Sequence, residues 1–301
     1  MNTFLLLASF SASTARPAFN CLLIGVKTAR YDVDALGGEL RDVCARLDSL
    51  PAKRRATSAY VREWYAPGAI AQLLAFRDLV DDYEHRDVLR VILSRAARSA
   101  RRAAHFDLEA PREAQTGEYW CHKHKRLCRP VESAVGFLRR YTLDALARIE
   151  AFAEIRDDTR EAFVLQGDSR TVEYEARFDG VVTSPPYPGL IDYHEQHRYA
   201  YELLGLDDAR ELELGAAEAG TSRGAIDAYT EGIACALANA AAALAPDAPL
   251  AIVVNDRREL YPAILERAGL RLDERLRRHV NRRTGRRAGE YFEDVLVVRK
   301  L

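Results

Sequence analysis

The chemistry-bearing residues of this chain are densest between Phe178 and Tyr187. A short apolar run, Gly180 to Val182, reads as a buried parallel strand. It stops at Pro185 and Pro186, which lack N–H donors and hold φ fixed, so neither strand nor helix can continue. The result is a stiff corner flanked by a hydroxyl, Ser184, and an aromatic ring, Tyr187. Carbonyls and the serine oxygen can accept hydrogen bonds there, and the ring can stack. Such a corner suits a flat, polar group, and the C-terminal end of a strand is where open α/β sheets hold ligands.

Three other groups of residues have chemical potential. Gly167-Asp168 ends a strand-like run from Glu161, and the Asp168 carboxylate can accept from an exocyclic amine; a plain turn reads equally well there. Cys121, His122, His124 and Cys128 place two thiols and two imidazoles within eight residues. A tetrahedral zinc site needs four converging ligands. The spacing is cramped and no second Cys/His pair is near, so no metal is expected; Cys121, His124 and Cys128 would need a ligand from elsewhere, such as His105 or Cys44. The competing reading is a basic, aromatic surface loop. Finally, arginines cluster twice. Arg95, Arg98, Arg101 and Arg102 recur at helical spacing, and Arg278, Arg282, Arg283 and Arg286 lie in the densest positive stretch. Both sets read as solvated faces or as surfaces for a nucleic-acid backbone.

The elements that must position these groups follow from punctuation and periodicity. Helices are expected over 31–50, 64–80, 88–104 and 133–156, with no strand between Asp32 and Glu161. Beyond the corner, a helix runs to Leu204, another covers 226–244, a buried strand covers 249–255, and a helix over 260–268 ends at Gly269. Two antiparallel strands, 270–280 and 294–299, close the chain. This predicts an α/β chain in three parts: 1–50, a helical insertion over 51–155 as a possible recognition region, and 156–301 around the corner.

At 301 residues the chain can bury a proper core, and its net charge of −1 does not announce a nucleic-acid binder, so any such surface must be local. Five scattered cysteines suit free thiols in a reducing compartment. No apolar run spans a bilayer, and Phe4 to Leu7 imitates a signal peptide without its basic n-region. A cytoplasmic protein without membrane association is expected.

The run from Thr183 to His194, with Ser184-Pro185-Pro186-Tyr187 at its head, resembles the catalytic motif of amino-group methyltransferases that use S-adenosylmethionine, above all the N4-cytosine and N6-adenine DNA methyltransferases. The likeness extends from about Phe19 to the C-terminus. It implies a Rossmann-like methyltransferase sheet, incomplete at the N-terminus, with a helical insertion. It also implies catalytic roles for Ser184, Pro185, Pro186 and Tyr187, and a cofactor-facing role for Gly167, Asp168 and Asn20. DNA is the implied partner, with RNA as an alternative. The family's glycine-rich cofactor loop and its ribose-binding acid have no counterpart: the first glycine is Gly25, and the acid would fall near Ala15 or Arg16. A truncated or frame-shifted start is the expected reason, with 1–18 unrelated to the family.

Cytosine and adenine amines are poor nucleophiles because the lone pair is delocalised into the ring. Acceptance of the amine hydrogens by Ser184 Oγ and a corner carbonyl would localise it, with Tyr187 stacked on a flipped base. Serine at the first position leans towards cytosine N4. Two alternatives stand beside this: an RNA base methyltransferase, and a non-catalytic nucleic-acid-binding remnant lacking the cofactor loop.

Overall fold

The computed structural model describes residues 4–7, 10–15, 18–51, 54, 58–107, 111–175, 177–189, 192–210, 213–216, 220–280 and 291–301. These divide into two compact units. One comprises Met1–Ile24, Asp158–Tyr193 and Ala209–Leu301; the other comprises Gly25–Asp157 and His194–Asp208. The insertion therefore begins earlier than expected and also takes in a segment after the corner. The helix Val33–Arg46 (α2) belongs to it because its apolar face, Leu36, Leu40 and Val43, is buried and packs on Val135–Ala153 (α6).

The first unit is built on a seven-stranded mixed sheet, as an α/β chain requires. Its strands are Phe4–Leu7 (β1), Phe10–Ala15 (β2), Glu161–Gln166 (β5), Gly180–Thr183 (β6), Leu250–Val254 (β7), Leu270–Val280 (β8) and Tyr291–Lys300 (β9), in the order β5-β2-β1-β6-β7-β9-β8. The expected gap at the N-terminus is filled: β1 and β2 lie between β5 and β6, where backbone N–H and C=O groups need partners. β1 runs antiparallel to β6, whereas β2 is parallel to β5 and β6 is parallel to β7. Gln166, Thr183 and Val254 therefore end at one common edge. Leu7 ends beside Gly180, so β1 ends and β2 begins at the opposite edge.

One face of this sheet is covered by helices Arg223–Ala242 (α9) and Tyr261–Arg267 (α10). Phe178, Val181, Ile233, Leu237, Leu250, Ile252, Ile264 and Val298 form the core between them. β7 alternates buried and half-buried residues along its length, the period-2 mark of a sheet packed mainly on one side. Gly269, with φ +66°, ends α10 as the glycine at that position predicts.

The second unit is mainly helical. The stretch expected as one helix over 64–80 is two, Ala59–Trp64 (α3) and Pro67–Leu79 (α4), because Pro67 starts a new first turn and forces Ala66 into extended backbone. Arg86–Ala100 (α5) buries Leu89, Ile92 and Leu93 and packs on α6. Tyr193–Gln196 (α7) and Arg198–Leu204 (α8) follow the corner, and Ala18–Thr28 (α1) belongs mostly to the first unit. Two strands appear where none is expected: Tyr119–Cys121 (β3) and Arg126–Cys128 (β4) form a hairpin. Three-residue strands are too short to leave a periodic signal.

Candidate functional site

The corner forms as its residues dictate. β6 ends at Thr183, and Ser184 stands exposed just beyond the sheet edge. Its hydroxyl donates to the carbonyl of Val253 at 3.1 Å, on the neighbouring parallel strand. The proton is thereby directed into the sheet, and the oxygen lone pairs remain to accept from a ligand. Pro185 and Pro186 are buried. The Pro186 carbonyl accepts from the Tyr229 hydroxyl at 2.8 Å, a bond from the middle of α9 that fixes the corner to the core. Burial pushes the Tyr229 phenol up to about 12, so it stays a donor. Pro185 supplies the corner's remaining carbonyl.

Tyr187 is half-buried against the core, and its hydroxyl donates to Glu293 Oε1 on β9 at 3.1 Å. Glu293 Oε2 accepts from Arg278 of β8 at 2.6 Å. The corner then turns at Gly189, which has φ +69° and whose N–H is bonded to Gly215 O at 3.0 Å. A Cβ at Gly189 would meet Thr221 Cγ2 at 2.5 Å.

Beyond β7, at the same edge, lies an open cleft of about 400 Å³. Asn255, Asp256 and Arg257 form one side; Arg275, Arg277, Phe292 and Asp294 form the other. Arg277 stacks over the Phe292 ring at 4.5 Å, and Arg275 pairs with Asp294. Arg275 and Arg277 thus have their orientation fixed by a neighbour, and the cleft carries both signs of charge.

Gly167 and Asp168 follow β5 at that edge. Three strand spacings, roughly 14 Å, separate β5 from β6. The Asp168 carboxylate is engaged within its own turn: it accepts from the Arg170 backbone N–H at 3.0 Å and from the Arg170 guanidinium at 2.6 Å. Asn239 of α9 holds this turn through Ser169 O and Val172 O. A Cβ at Gly167 would only touch Val172 at 3.5 Å, so no close backbone approach depends on that glycine. Asn20 is buried on α1, and its Nδ2 has no hydrogen-bond partner.

The arginine row does not form one face. α5 ends at Ala100, so Arg101 and Arg102 lie beyond it. Arg95 pairs with Asp144 at 2.6 Å and stacks over Tyr141 at 4.3 Å, both on α6. Arg101 is buried over Tyr199 at 5.0 Å. Arg102 is half-buried, its Nε enclosed without a partner, and Arg98 is exposed. Helical spacing predicted a common face; inward-facing tyrosines and an acid drew the guanidiniums apart. Of the second set, Arg278 is exposed and ion-paired, whereas Arg282, Arg283 and Arg286 lie outside the described residues. His194, at the end of the run that follows the corner, and Tyr199 beyond it are buried in the helical unit.

Three positions went unnoticed in the sequence: Val253 as the acceptor for Ser184, Glu293 as the acceptor for Tyr187, and Tyr229 as the anchor of Pro186. Tyr229 left a signal, being the one aromatic residue in an alanine-rich helix.

The chain is similar to a Type II methyltransferase. It is 41% identical over 254 residues to the Type II methyltransferase M.MjaII of Methanocaldococcus jannaschii. The match takes in 78% of this chain and 48% of that relative, so the chain spans about half the length of the curated protein it matches. No family model matches it. Among solved structures it is similar to TrmN from Thermus thermophilus, with 17% identity over 56% of this chain and 33% of that one and a TM-score of 0.24, too low to carry an argument.

Proposed function

We propose that this chain carries the base-binding side of a site-specific DNA methyltransferase that takes its methyl group from S-adenosylmethionine and places it on an exocyclic base amine, cytosine N4 rather than adenine N6. The observation that carries this reading is the hydrogen bond from Ser184 Oγ to Val253 O. It leaves the serine oxygen as an acceptor at the edge where ligands of parallel sheets bind. An amine that donates to Ser184 Oγ and to the Pro185 carbonyl has its lone pair drawn out of the ring and onto nitrogen. The 41% identity to a Type II methyltransferase supports the same chemistry.

Tyr187 stacks on the base with the part of its ring left open, while its hydroxyl is held by Glu293. The base leaves the duplex to reach this corner. Arg275 and Arg277 line the adjoining cleft, where they fit the sugar-phosphate backbone beside the extruded base. No thiol is needed, because no covalent enzyme intermediate forms.

The cofactor supplies an electrophilic methyl group. The described residues fit one end of it: Asp168 offers an acceptor for its adenine amine and Asn20 a buried, unpartnered donor. Asp168 must share its carboxylate with Arg170, and the sequence carries no glycine-rich loop before Gly25, so weak cofactor binding is expected in calorimetry. The deciding experiment incubates the full chain with saturating labelled cofactor and either duplex DNA or tRNA, then hydrolyses the product to bases. Label in N4-methylcytosine from DNA supports the proposal; label only in tRNA, or in neither, overturns it.

A further inference from the structure

The β3–β4 hairpin and the segment after α5 bring four potential metal ligands together: His105, Cys121, His124 and Cys128, whose donor atoms all lie within 4.8 Å of one another. Cys121 Sγ is 3.9 Å from His105 Nδ1, and His124 Nδ1 is 3.4 Å from Cys128 Sγ. In a tetrahedral site with ordinary zinc–sulfur and zinc–nitrogen lengths, ligand atoms stand about 3.3–3.8 Å apart. We propose that these four side chains bind a structural zinc ion.

The backbone explains how a cramped sequence reaches this geometry. Tyr119 pairs with Cys128 and Cys121 pairs with Arg126, so both cysteines project from the same face of the ribbon. Trp120 and Leu127, paired with each other, occupy the opposite face and are 52% and 62% exposed. The chain reverses between the strands with Lys125 at φ 55° and its N–H bonded to Cys121 O at 2.7 Å. That turn folds His124 back towards Cys128. The fourth ligand arrives from outside the hairpin: the His105 N–H donates to the Tyr119 hydroxyl at 3.2 Å, which sets the two imidazole centroids 4.8 Å apart.

Donor chemistry and size point the same way. Two thiolates with two imidazoles in a closed set of four are the donors of a tetrahedral structural zinc, with no open position for a substrate. A ribbon of three-residue strands with its larger apolar side chains turned outward cannot hold itself together by burial. Yet its two cysteines are almost fully enclosed and are not joined to each other. A metal accounts for enclosed thiols in so small an element, and it ties the ribbon to the segment following α5.

The test uses the full chain purified without chelator. Elemental analysis is expected to find zinc in equimolar amount, released when the thiols are titrated with a mercurial. Replacement by cobalt is expected to give the intense visible bands of a tetrahedral ion and thiolate-to-cobalt charge transfer in the near ultraviolet. Cys128→Ser should lose the bound metal. Should that variant fail to fold, His105→Gln keeps both thiols and should distort the cobalt spectrum while charge transfer persists. Zinc at background level in a folded protein, a Cys121–Cys128 disulfide in freshly purified material, or an octahedral cobalt spectrum without charge transfer would each overturn the proposal.

Discussion

The hydroxyl of Tyr187 donates to Glu293, and the same carboxylate holds Arg278 across the β8–β9 ladder. The ring proposed to stack on a base is thereby oriented by a residue more than a hundred positions away in sequence. The bond has two separable parts, orientation and ring surface. Tyr187→Phe keeps the ring and loses one hydrogen bond, about 0.5–1.5 kcal/mol. Tyr187→Ala also loses the stacking surface, about 1–3 kcal/mol per base. Binding to a single-stranded oligonucleotide, followed by fluorescence anisotropy, should weaken a few-fold in the first variant and about tenfold or more in the second. Equal losses would assign the residue to packing alone.

If the proposed function holds, Ser184→Ala removes an acceptor that acts only when an amine is being activated. Losing one preorganised polar contact to a developing charge costs roughly a hundredfold or more in rate. The side chain is exposed and loses one hydrogen bond, to Val253 O, so the stability cost should stay at about 1 kcal/mol and the fold should be kept. Methyl transfer at saturating cofactor should fall by that factor while oligonucleotide binding changes little. A variant that transfers at the parental rate would remove Ser184 from the mechanism.

Gly189 and Gly205 separate space from backbone strain. Both adopt positive φ, +69° and +66°. A Cβ at Gly205 meets nothing within 4 Å, whereas at Gly189 it meets Thr221 Cγ2 at 2.5 Å and Gly220 O at 3.1 Å. Gly205→Ala should cost only the left-handed penalty, about 1–2 kcal/mol. Gly189→Ala should cost more, up to about 3 kcal/mol, and should also lower methyl transfer, since the turn follows the corner directly. Denaturant midpoints read the first difference and the transfer assay reads the second.

The parts of the fold that announced themselves did so through punctuation. Pro185 and Pro186 ended β6, Gly269 ended α10, and apolar runs marked β5, β6 and β7. These signals are local, and local physics suffices to read them. Residues 4–7 and 10–15 read as unrelated to the family because they carry neither the glycine-rich loop nor the ribose acid, yet a sheet interior accepts any backbone that completes its hydrogen bonds. The arginine row misled for the opposite reason. Its spacing was helical, but two of its guanidiniums answered to partners on other elements, Asp144 for Arg95 and Tyr199 for Arg101. The Ser184–Val253, Tyr229–Pro186 and His105–Cys121 pairings are likewise set by tertiary packing, and no window of sequence contains both partners of the first two.

His197 makes the helical unit sensitive to acid. Burial pulls its pKa down to about 4, with the charges of Arg98, Arg101 and His194 adding to the effect. Its Nδ1 lies 3.1 Å from the Tyr199 hydroxyl, and the two rings meet edge to face. The folded pKa is below the unfolded value of about 6.5, so in the interval between them the unfolded chain binds the extra proton. The stabilisation from keeping this ring neutral is fully present above about pH 6.5 and is lost as pH falls towards 4, on the order of 3 kcal/mol at most. His197→Gln retains a polar side chain but cannot titrate. Urea midpoints should fall more steeply for the parent than for this variant between about pH 7 and pH 5, and should run parallel between about pH 7 and pH 8. Parallel curves through the acid range would show that the proton is taken up elsewhere, on carboxylates common to both proteins.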